Sequence, residues 1–512
     1  MPETRKVLYV RLPCQKIYPV GVTCLASYIK KLRPDTGQRI LDLAIVPAGR
    51  RRETLKETIE TFAPDIVAFS WRDIQTIAPI FDRDERFPYI KKAFEFYYSP
   101  NPLRRIASSF SGLKVVKDYL SLIRENTGLI RLVTQRWPEK RVVLGGSAFS
   151  VFSEQIIKMV PEGVVGIVGE GENALLKMVD DAGLSTGTSD PLLEERTVWR
   201  DGDTIYGGTQ AEPVDLDKLE IDPGYIREIF PQWEAYRNGS VGVQTKRGCY
   251  FNCSFCLYNY IEGRDVRFRD TAVVVREVER FHREWGVTEF WFADAQFIAS
   301  PKAIAVCEDL LERLVALNLP ITWGSYIRAN HITPRLAQLM VASNMGDIEV
   351  SITSGSQKIV DHLTLGFKVE EIVQGCRYLK EAGYKGRIYL NFSLNAPGET
   401  KETLLQSIDA YKKIAAAIDG GIDATLDKAQ VRPLLFFIGI QPHTEFEAEL
   451  LKSGYLDKGY NPLSLNPRTI RKMMYNPAPL DRLLARTCLE AWDSGAENVG
   501  AEVFRLLEAK LK

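Results

Sequence analysis

The sequence lacks any excess of charge and any long apolar run. Its 66 lysines and arginines balance 66 aspartates and glutamates, so the net charge at pH 7 is zero. This balance argues against a protein dominated by nucleic-acid or anionic-membrane binding, although it leaves room for a local basic patch. No stretch approaches the roughly 18 apolar residues of a membrane span, and Met1–Lys6 leads into a strand without a signal-peptide core. We therefore expect a cytoplasmic protein with no transmembrane segment.

Histidine and cysteine are also scarce for a chain of 512 residues. The four histidines begin only at His282, so the preceding sequence offers no imidazole to a metal. Five of the eight cysteines stand alone, which suits a reducing compartment and argues against a disulfide framework. These five are Cys14, Cys24, Cys307, Cys376 and Cys488. The 45% hydrophobic content allows full cores, and the length predicts two or three domains.

The other three cysteines crowd into one short stretch, Lys246–Cys256. Cys249, Cys253 and Cys256 are separated by three and then two residues, after the strand-like segment Ser240–Thr245. Three thiolates on one loop suit zinc or an iron-sulfur cluster, because soft sulfur ligands select both. A structural zinc site would need a fourth ligand, and none follows closely in the sequence. We favour an iron-sulfur cluster with one open iron. The alternative is a chance group of buried cysteines.

This motif resembles that of the radical S-adenosylmethionine (SAM) superfamily. The resemblance implies that the three cysteines hold a 4Fe-4S cluster and that SAM chelates the fourth iron. Phe255, just before the last cysteine, matches the family position that packs near the adenine. The implied chemistry is the cleavage of SAM to a 5′-deoxyadenosyl radical.

The N-terminal part of the chain alternates strands and helices, starting with a buried strand at Lys6–Leu12. Such alternation predicts a parallel sheet whose ligands lie outside the carboxyl ends of the strands. The order of strand, Pro-Val-Gly helix, Gly-Gly turn and Gly-Glu-Gly-Glu turn resembles the cobalamin-binding domain of one radical SAM class. The implied cobalamin-binding residues are Pro19, Gly21, Gly145, Gly146, Gly169, Glu170 and Gly171.

One departure from cobalamin domains concerns the cobalt. Domains that ligate this metal use a histidine in an Asp-x-His-x-x-Gly loop, and no histidine precedes His282 here. We therefore expect no imidazole ligand from this domain on the lower face of the corrin. Trp71 and Arg72 follow the third predicted strand, where they either contact corrin or substrate or simply cap the sheet.

An aromatic and basic insertion at about 82–136 interrupts the alternation. It contains Phe94–Tyr98 and Arg104–Arg105 and is too long for a plain connection. One interpretation is that it covers a large planar or anionic substrate, with Tyr97 as a candidate contact. The other is a helical insert whose aromatics form a satellite core.

From Val241 the alternation resumes with six strand and helix units, which resemble the partial barrel of radical SAM proteins. Chemistry in such barrels occurs at the carboxyl ends of the strands. Segments at those ends resemble SAM-contacting segments of the superfamily, with Thr353 in place of the usual glutamate. The implied SAM-binding residues, besides Phe255, are Asp294, Ser354, Ser356 and Asn391. His443 replaces the glycine of a Pro-Gly-Thr turn after the sixth strand and is a candidate substrate contact.

The predicted fold class is α/β, with a Rossmann-like domain followed by a partial (β/α)6 barrel of the TIM type and a helical C-terminal region. Residues 1–190 form the predicted cobalamin-binding domain with its insertion at about 82–136. Residues 191–240 are a connector, residues 241–440 the radical SAM barrel, and residues 441–512 mainly helical.

The resemblance implies a cobalamin-dependent radical SAM enzyme that methylates an unactivated carbon of a small molecule. It would use 4Fe-4S, SAM and cobalamin, with flavodoxin or ferredoxin as electron donor, and no nucleic acid. One alternative is oxidation or cyclisation of a tetrapyrrole-like substrate, as in anaerobic magnesium-protoporphyrin cyclases. A second is a corrinoid-binding assembly or regulatory factor linked to photosynthesis. Tyr9–Cys14 and Phe69–Gln75 also resemble a cyanobacterial radical SAM family named for photosystem II high-light acclimation.

Overall fold

The computed structural model describes residues 5–73, 80–81, 90–181, 197–420, 429–463 and 467–512. Residues 74–75 of the segment Phe69–Gln75, residues 82–89 of the insertion and the first residues of the connector lie outside these ranges. Two large sheets organise the described chain, and a small two-stranded antiparallel sheet carries the start of the cysteine motif.

The strands of the described residues are numbered in chain order. They are β1 Lys6–Arg11, β2 Gly37–Asp42, β3 Ile66–Ser70, β4 Ile80–Phe81, β5 Arg141–Gly145, β6 Val164–Ile167, β7 Thr197–Asp201, β8 Thr204–Gly207, β9 Val241–Val243, β10 Lys246–Arg247, β11 Arg267–Phe268, β12 Glu289–Phe292, β13 Thr322–Ile327, β14 Ile348–Thr353, β15 Ile388–Leu394 and β16 Val431–Phe437.

The helices are numbered in the same way. They are α1 Val20–Leu32, α2 Arg51–Phe62, α3 Ile90–Tyr98, α4 Pro102–Arg136, α5 Ser147–Val151, α6 Ser153–Met159, α7 Glu172–Asp180, α8 Pro223–Ile229, α9 Tyr258–Glu262, α10 Thr271–Trp285, α11 Ala303–Leu317, α12 Pro334–Ala342, α13 Gln357–His362, α14 Val369–Glu381, α15 Lys401–Asp419, α16 Glu445–Lys452, α17 Pro467–Met473, α18 Asp481–Asp493 and α19 Val499–Leu511.

The first sheet has the strand order β2-β1-β3-β5-β6-β7-β8, with β1, β2, β3, β5 and β6 parallel. Residues of the central strand β1 alternate between two cores: Val7 and Tyr9 lie in one, Leu8 and Val10 in the other. A parallel strand buried on both faces reads as a continuous apolar run, which is why β1 was predictable. The antiparallel strands β7 and β8 come from the predicted connector, which thus extends this sheet.

The second sheet places β9, β12, β13, β14, β15 and β16 side by side in chain order, all parallel. This confirms the six predicted strand and helix units and the α/β fold class. The short strand β4 pairs antiparallel with β16 and covers its outer edge. The last residues are helical, as predicted, from α16 to α19.

Local sequence signals explain where the barrel helices begin and end. The side chain of Asp270 accepts the Ala272 N–H at the start of α10, and Gly286 ends the helix in a left-handed conformation. The α15 helix follows the same scheme, from the Thr400 cap to the left-handed Gly420. Polar caps satisfy amide groups that the first turn leaves unpaired, and glycine adopts positive φ without strain.

The insertion is helical, with α3 packed against α4. The aromatic residues that the structure describes in it, Phe94 and Tyr98 among them, do not form a separate satellite core. Phe94 stacks on Phe437 at the end of β16, with ring centroids 5.7 Å apart, and meets Trp492 of α18 edge-on. Phe94 and Tyr98 both belong to the barrel core. Within the described residues, neither α4 nor any other helix combines the length and apolarity needed to cross a membrane.

Replacing Gly146 by alanine tests the turn after β5. Gly146 has a φ of +100°, and a Cβ there would lie 2.6 Å from the carbonyl oxygen of Trp71. Backbone strain and overpacking together predict a loss of about 2–5 kcal/mol in the free energy of unfolding, measured by urea denaturation. Gly128→Ala is the matched control, because that glycine lies within α4 with open space around its Cβ position. The control should be neutral or slightly stabilising. Equal effects of the two variants would contradict the proposed constraint.

Candidate functional site

The candidate site lies where the carboxyl ends of the first sheet meet the loop that carries the three cysteines. Helix α9, which follows the cysteines, packs against α5, which follows the Gly145–Gly146 turn. Leu257, Tyr260 and Ile261 pack against the outer core of the first sheet. The two cofactor motifs predicted from sequence are therefore adjacent in the fold.

The cysteine loop lies between β10 and β11, two short strands that pair antiparallel. Gly248 has a φ of +90°, and a side chain there would overlap the carbonyl oxygen of Asp265, so glycine is required. The Cys249 N–H donates to the Gly263 carbonyl (3.1 Å), and the Cys256 N–H donates to the Cys253 carbonyl (3.0 Å). The loop thus brings the three cysteines together on one backbone scaffold.

Asp294, at the end of β12, holds the base of this loop. Its carboxylate accepts the Thr245 N–H (2.7 Å), the Lys246 N–H (3.2 Å) and the Lys246 ammonium (2.7 Å), all in buried surroundings. The Thr245 hydroxyl donates to the same carboxylate at 2.6 Å. The side-chain carboxylate of this predicted SAM residue is thus occupied by hydrogen bonds within the protein.

Arg328, which follows β13, contacts the cysteine loop directly and was not singled out from sequence. Its guanidinium donates to Cys253 Sγ (3.7 Å) and to the Leu365 carbonyl, and it lies 3.6 Å from the ring centroid of Phe251. The side chain is buried, and no carboxylate of the described chain lies within ion-pair distance of it. The sulfur atoms are therefore the anionic groups that can compensate this buried charge.

A network of ion pairs joins the cysteine loop to the Gly-Glu-Gly-Glu turn of the first sheet. Arg247 donates to Glu172 (2.7 Å) and lies 3.2 Å from Glu170, and Arg267 also pairs with Glu170. Burial alone would raise the pKa of Glu170, but Arg267 and Arg247 hold it below its usual range. Glu170, predicted to bind cobalamin, thus uses its carboxylate to link the two sheets.

Of the three arginines that follow the cysteines in sequence, two are structural. Arg269 is buried and donates to Glu277 (2.6 Å) and to the Gln244 carbonyl (2.6 Å). Arg267 is occupied by Glu170 and the Val214 carbonyl. Arg264 is exposed, with one hydrogen bond to the Tyr250 carbonyl (3.4 Å).

The Ser-Gly-Ser segment after β14 is fixed against α15. The Ser354 hydroxyl contacts Ser407 Oγ (3.2 Å), and Gly355 lies so close to Ala410 that a Cβ would meet it at 2.6 Å. The Ser356 hydroxyl is buried without a hydrogen-bond partner among the described residues, as is Gln296 Oε1 after β12. Buried polar atoms of this kind are candidates for ligand contacts. Asn391 on β15 instead donates to Glu349 (3.2 Å).

Three non-glycine residues at or beyond the carboxyl ends of barrel strands have positive φ. Thr353 closes β14 at 61°, Asn395 follows β15 at 55°, and His443 lies beyond β16 at 65°. A β-branched residue in this conformation is a clear outlier, and such strain concentrates at functional sites. The strained positions mark the same edge as the predicted SAM segments.

At the edge of the first sheet, Trp71 is buried and Arg72 is exposed. The Trp71 N–H donates to the Gly145 carbonyl (2.8 Å), while the indole Nε1 has no partner among the described residues. Arg72 pairs with Asp73 at 3.0 Å. Pro19 is buried at the start of α1, whereas Gly21 is exposed with open space around it. Gly169 and Gly146 both have positive φ, a conformation that glycine adopts without strain.

The two candidate substrate residues lie in different settings. His443 bridges the domains: its Nε2 is 3.1 Å from the Val151 carbonyl of α5, and its ring stacks on Tyr260 with centroids 4.1 Å apart. Tyr97 is half-buried within the insertion, in ring contact with Phe96 and Tyr98. The structure thus brings His443, but not Tyr97, into the contacts between the cysteine region and the first sheet.

Burial governs the protonation of several groups here. It raises the pKa of Cys256 to about 12, with smaller contributions from Cys253 and Cys249, so the Cys256 thiol needs a cation nearby to ionise. Burial also raises the pKa of Glu262 to about 7, although the Gly248 N–H donates to it. The same cause raises the pKa of Glu399, in the turn after β15, to about 7.

Comparisons with known proteins agree with this geometry. Residues 243–410 match the model of the Radical SAM superfamily. The anaerobic magnesium-protoporphyrin IX monomethyl ester cyclase of Cereibacter sphaeroides is 29% identical over 276 residues, which cover 52% of this chain and 44% of the relative. The chain thus spans about half the length of the curated relatives it matches.

Two solved structures share the fold. The radical SAM methyltransferase TsrM of Kitasatospora setae, with cobalamin and a 4Fe-4S cluster bound, has a TM-score of 0.65 at 20% identity and covers 88% of this chain and 78% of its own. OxsB, with aqua-cobalamin and S-adenosylmethionine bound, has a TM-score of 0.64 at 14% identity and covers 96% of this chain and 67% of its own. Both likenesses extend over the two sheets and confirm the predicted architecture.

Glu399 provides a test of the buried turn after β15. Its pKa is about 7 in the fold and ordinarily 4.5, so the folded state retains a proton that the unfolded state loses. Stability should therefore fall as pH rises from about 5 to about 8, by on the order of 2 kcal/mol for this group. In Glu399→Gln this part of the pH dependence should vanish, as measured by urea unfolding across that range. The exposed neighbour variant Glu402→Gln should keep the parent's dependence. A Glu399→Gln profile parallel to the parent's would show that this carboxyl is not responsible.

Proposed function

We propose that this chain, whose residues 243–410 match the Radical SAM superfamily, is a cobalamin-dependent enzyme that methylates an unactivated carbon of a small molecule. The observation that carries the proposal is the meeting of two strand edges. The glycine turns of the first sheet lie against the helix that follows Cys249, Cys253 and Cys256. A pair of cofactors held at these edges would face one shared space.

The cysteines fit an iron-sulfur cluster better than a single metal ion. Among the described residues, no group of three or more His, Cys, Asp or Glu side chains is arranged to hold one ion. In a multi-iron cluster each thiolate binds a different iron, so the sulfur atoms need not converge on one point. The buried guanidinium of Arg328 beside Cys253 suits an anionic group on this loop.

SAM fits the neighbouring strand ends. The unpartnered Ser356 Oγ and Gln296 Oε1 offer buried polar contacts beside the loop segments that Ser354 and Asp294 hold in place. We propose Phe255 as the adenine contact and Asn391 as a further SAM contact on β15. Phe255 is partly buried against the barrel core.

Cobalamin fits the edge of the first sheet. The chain turns there at Gly145, Gly146, Gly169 and Gly171, of which Gly146 and Gly169 have positive φ, and the indole N–H of Trp71 has no hydrogen-bond partner among the described residues. TsrM and OxsB, which share the fold, are described with cobalamin bound. No histidine precedes His282 in the sequence, so residues 1–190 offer no imidazole to the lower face of the corrin.

Bound in this way, the three groups would supply reductive cleavage of SAM, hydrogen abstraction and methyl transfer. The protein's own contribution is placement and exclusion of water. Arg247, Glu170 and Glu172 fix the distance between the two edges, and His443 and Tyr260 close one side of the contact. Holding reactants in a fixed dry cleft lowers the entropic cost of reaction and protects reactive species from water.

In this proposal residues 1–190 bind cobalamin, and residues 241–440 carry out the radical chemistry. An external one-electron donor such as flavodoxin or ferredoxin would be needed. A second candidate is oxidation or cyclisation of a tetrapyrrole-like substrate, which the matching cyclase relative favours. The similarity in fold to TsrM, which is described as a methyltransferase, favours methylation.

The proposed function is tested with anaerobically reconstituted full-length protein. We expect cobalamin to be retained on purification, and 5′-deoxyadenosine to form from SAM under reductant when a substrate is present. Cys253→Ala should abolish both the iron-sulfur absorption and SAM cleavage, because one iron loses its protein ligand. Cys376→Ala, on the helix α14, is the matched control and should keep both. Absence of bound corrinoid would exclude a cobalamin-dependent reaction. A methylated product would distinguish methylation from cyclisation.

Arg328→Gln tests the charge environment of the cysteine loop. A buried cation and an N–H···S bond stabilise the more negative, reduced form of an iron-sulfur cluster. We therefore expect the midpoint potential to become more negative in this variant, as measured by an EPR redox titration. Arg264→Gln is the control, because Arg264 is exposed on the same loop and bonds only the Tyr250 carbonyl. Equal midpoint potentials in the two variants would show that Arg328 does not stabilise the reduced cluster.

A further inference from the structure

The helix α4 displays an exposed apolar face that the proposed function does not use. Leu103, Ile106, Phe110 and Leu113 are 74%, 62%, 73% and 65% exposed. They follow one another by three, four and three residues, which places them on one face of a helix. The other exposed large hydrophobic side chains of the described chain are Tyr206, Tyr250 and Val315, each on a separate element.

This face points away from the protein body. Ser108, about half a turn around the helix from the apolar face, is buried and donates to Glu95 of α3 (2.6 Å). Asn101 caps the start of α4 through the Leu103 and Arg104 N–H groups, and Arg104 pairs with Asp493 of α18 (2.8 Å). The helix is therefore held on its inner side, and the apolar face is preformed rather than created on binding.

The segment around the face carries a net positive charge. Within residues 90–118 the sequence has six basic side chains, Lys91, Lys92, Arg104, Arg105, Lys114 and Lys117, and two acidic side chains, Glu95 and Asp118. Lys91 and Arg104 pair with Asp493, and Lys92 pairs with Glu95. Of the basic side chains, Arg104, Arg105, Lys114 and Lys117 are exposed on α4 itself. The whole chain is neutral, so this segment concentrates positive charge beside exposed apolar residues.

We propose that this face of α4 binds an anionic phospholipid surface. A helix with leucine, isoleucine and phenylalanine on one side and lysine and arginine around it lies in the plane of a bilayer interface. Its basic residues complement anionic headgroups, and its apolar residues enter the headgroup boundary. A symmetric pairing of two copies through this face would instead bring two positively charged segments together, which like-charge repulsion disfavours.

The test is cosedimentation of the full-length protein with lipid vesicles, which requires no bound cofactor. We expect binding to vesicles containing roughly a third phosphatidylglycerol, weaker binding to phosphatidylcholine alone, and loss of binding as salt rises. The double variant Ile106→Ser, Phe110→Ser should lower the partition coefficient about tenfold or more, because two large apolar contacts are lost. Both side chains are exposed, so the fold should be unaffected. Val315→Ser, an exposed apolar residue of α11, is the matched control and should bind like the parent.

Three results would overturn the proposal. The first is equal cosedimentation of the parent and the double variant. The second is equal binding to neutral and anionic vesicles, which would remove the role of the basic residues. The third is a concentration-dependent dimer that the double variant abolishes, seen by light scattering without vesicle binding, which would assign the face to a second copy. None of these results bears on SAM cleavage, so the failure of this proposal and of the proposed function would be distinguishable.

Discussion

The arrangement of the two sheets depends on the buried ion pairs among Arg247, Glu170, Glu172 and Arg267. Separating the sheets would leave several charges in a poorly solvated interface without partners, at a cost of several kcal/mol. Arg247 stands two residues before Cys249, and Glu170 stands in the turn after β6. The ion pairs therefore link the cysteine loop to the turn after β6 and fix the position of the loop relative to that turn.

Backbone strain is also present at the carboxyl ends of the barrel strands. Thr353, Asn395 and His443 adopt positive φ at or beyond three barrel strand ends, where each costs on the order of 1–3 kcal/mol. Asn395 is held by hydrogen bonds to Asn476 and to the Pro477 carbonyl, and His443 by its contact with Val151. Contacts from distant parts of the chain thus maintain conformations that the local sequence would not choose, and they leave the ends of the strands rigid.

The alternation of strands and helices along the chain and the position of the cysteine loop were predictable. Apolar runs such as β1 and glycine turns such as Gly145–Gly146 are local signals. Three features were not predictable. Arg328 precedes an ordinary helix in sequence, and nothing local shows that its side chain reaches Cys253. Glu170 was expected to face a ligand, whereas its partners Arg247 and Arg267 come from distant sequence. The strands β7 and β8 lie in a stretch of weak pattern, and only pairing with β6 reveals them. Long-range contacts of this kind leave no mark on a single sequence.

The two-residue strand β4 has a consequence for how the chain is built. It lies between β3 and β5, both in the first sheet, yet it pairs with β16 in the second. During synthesis, residues 80–81 leave the ribosome long before residues 431–437 exist. The strand β4 therefore cannot pair with β16 until residues 431–437 have been synthesised. Contacts between residues that are far apart in sequence slow folding. The pairing of β4 with β16 also joins the two sheets through the path of the chain, in addition to their surface contacts. The two sheets are thus coupled during folding as well as in the folded structure.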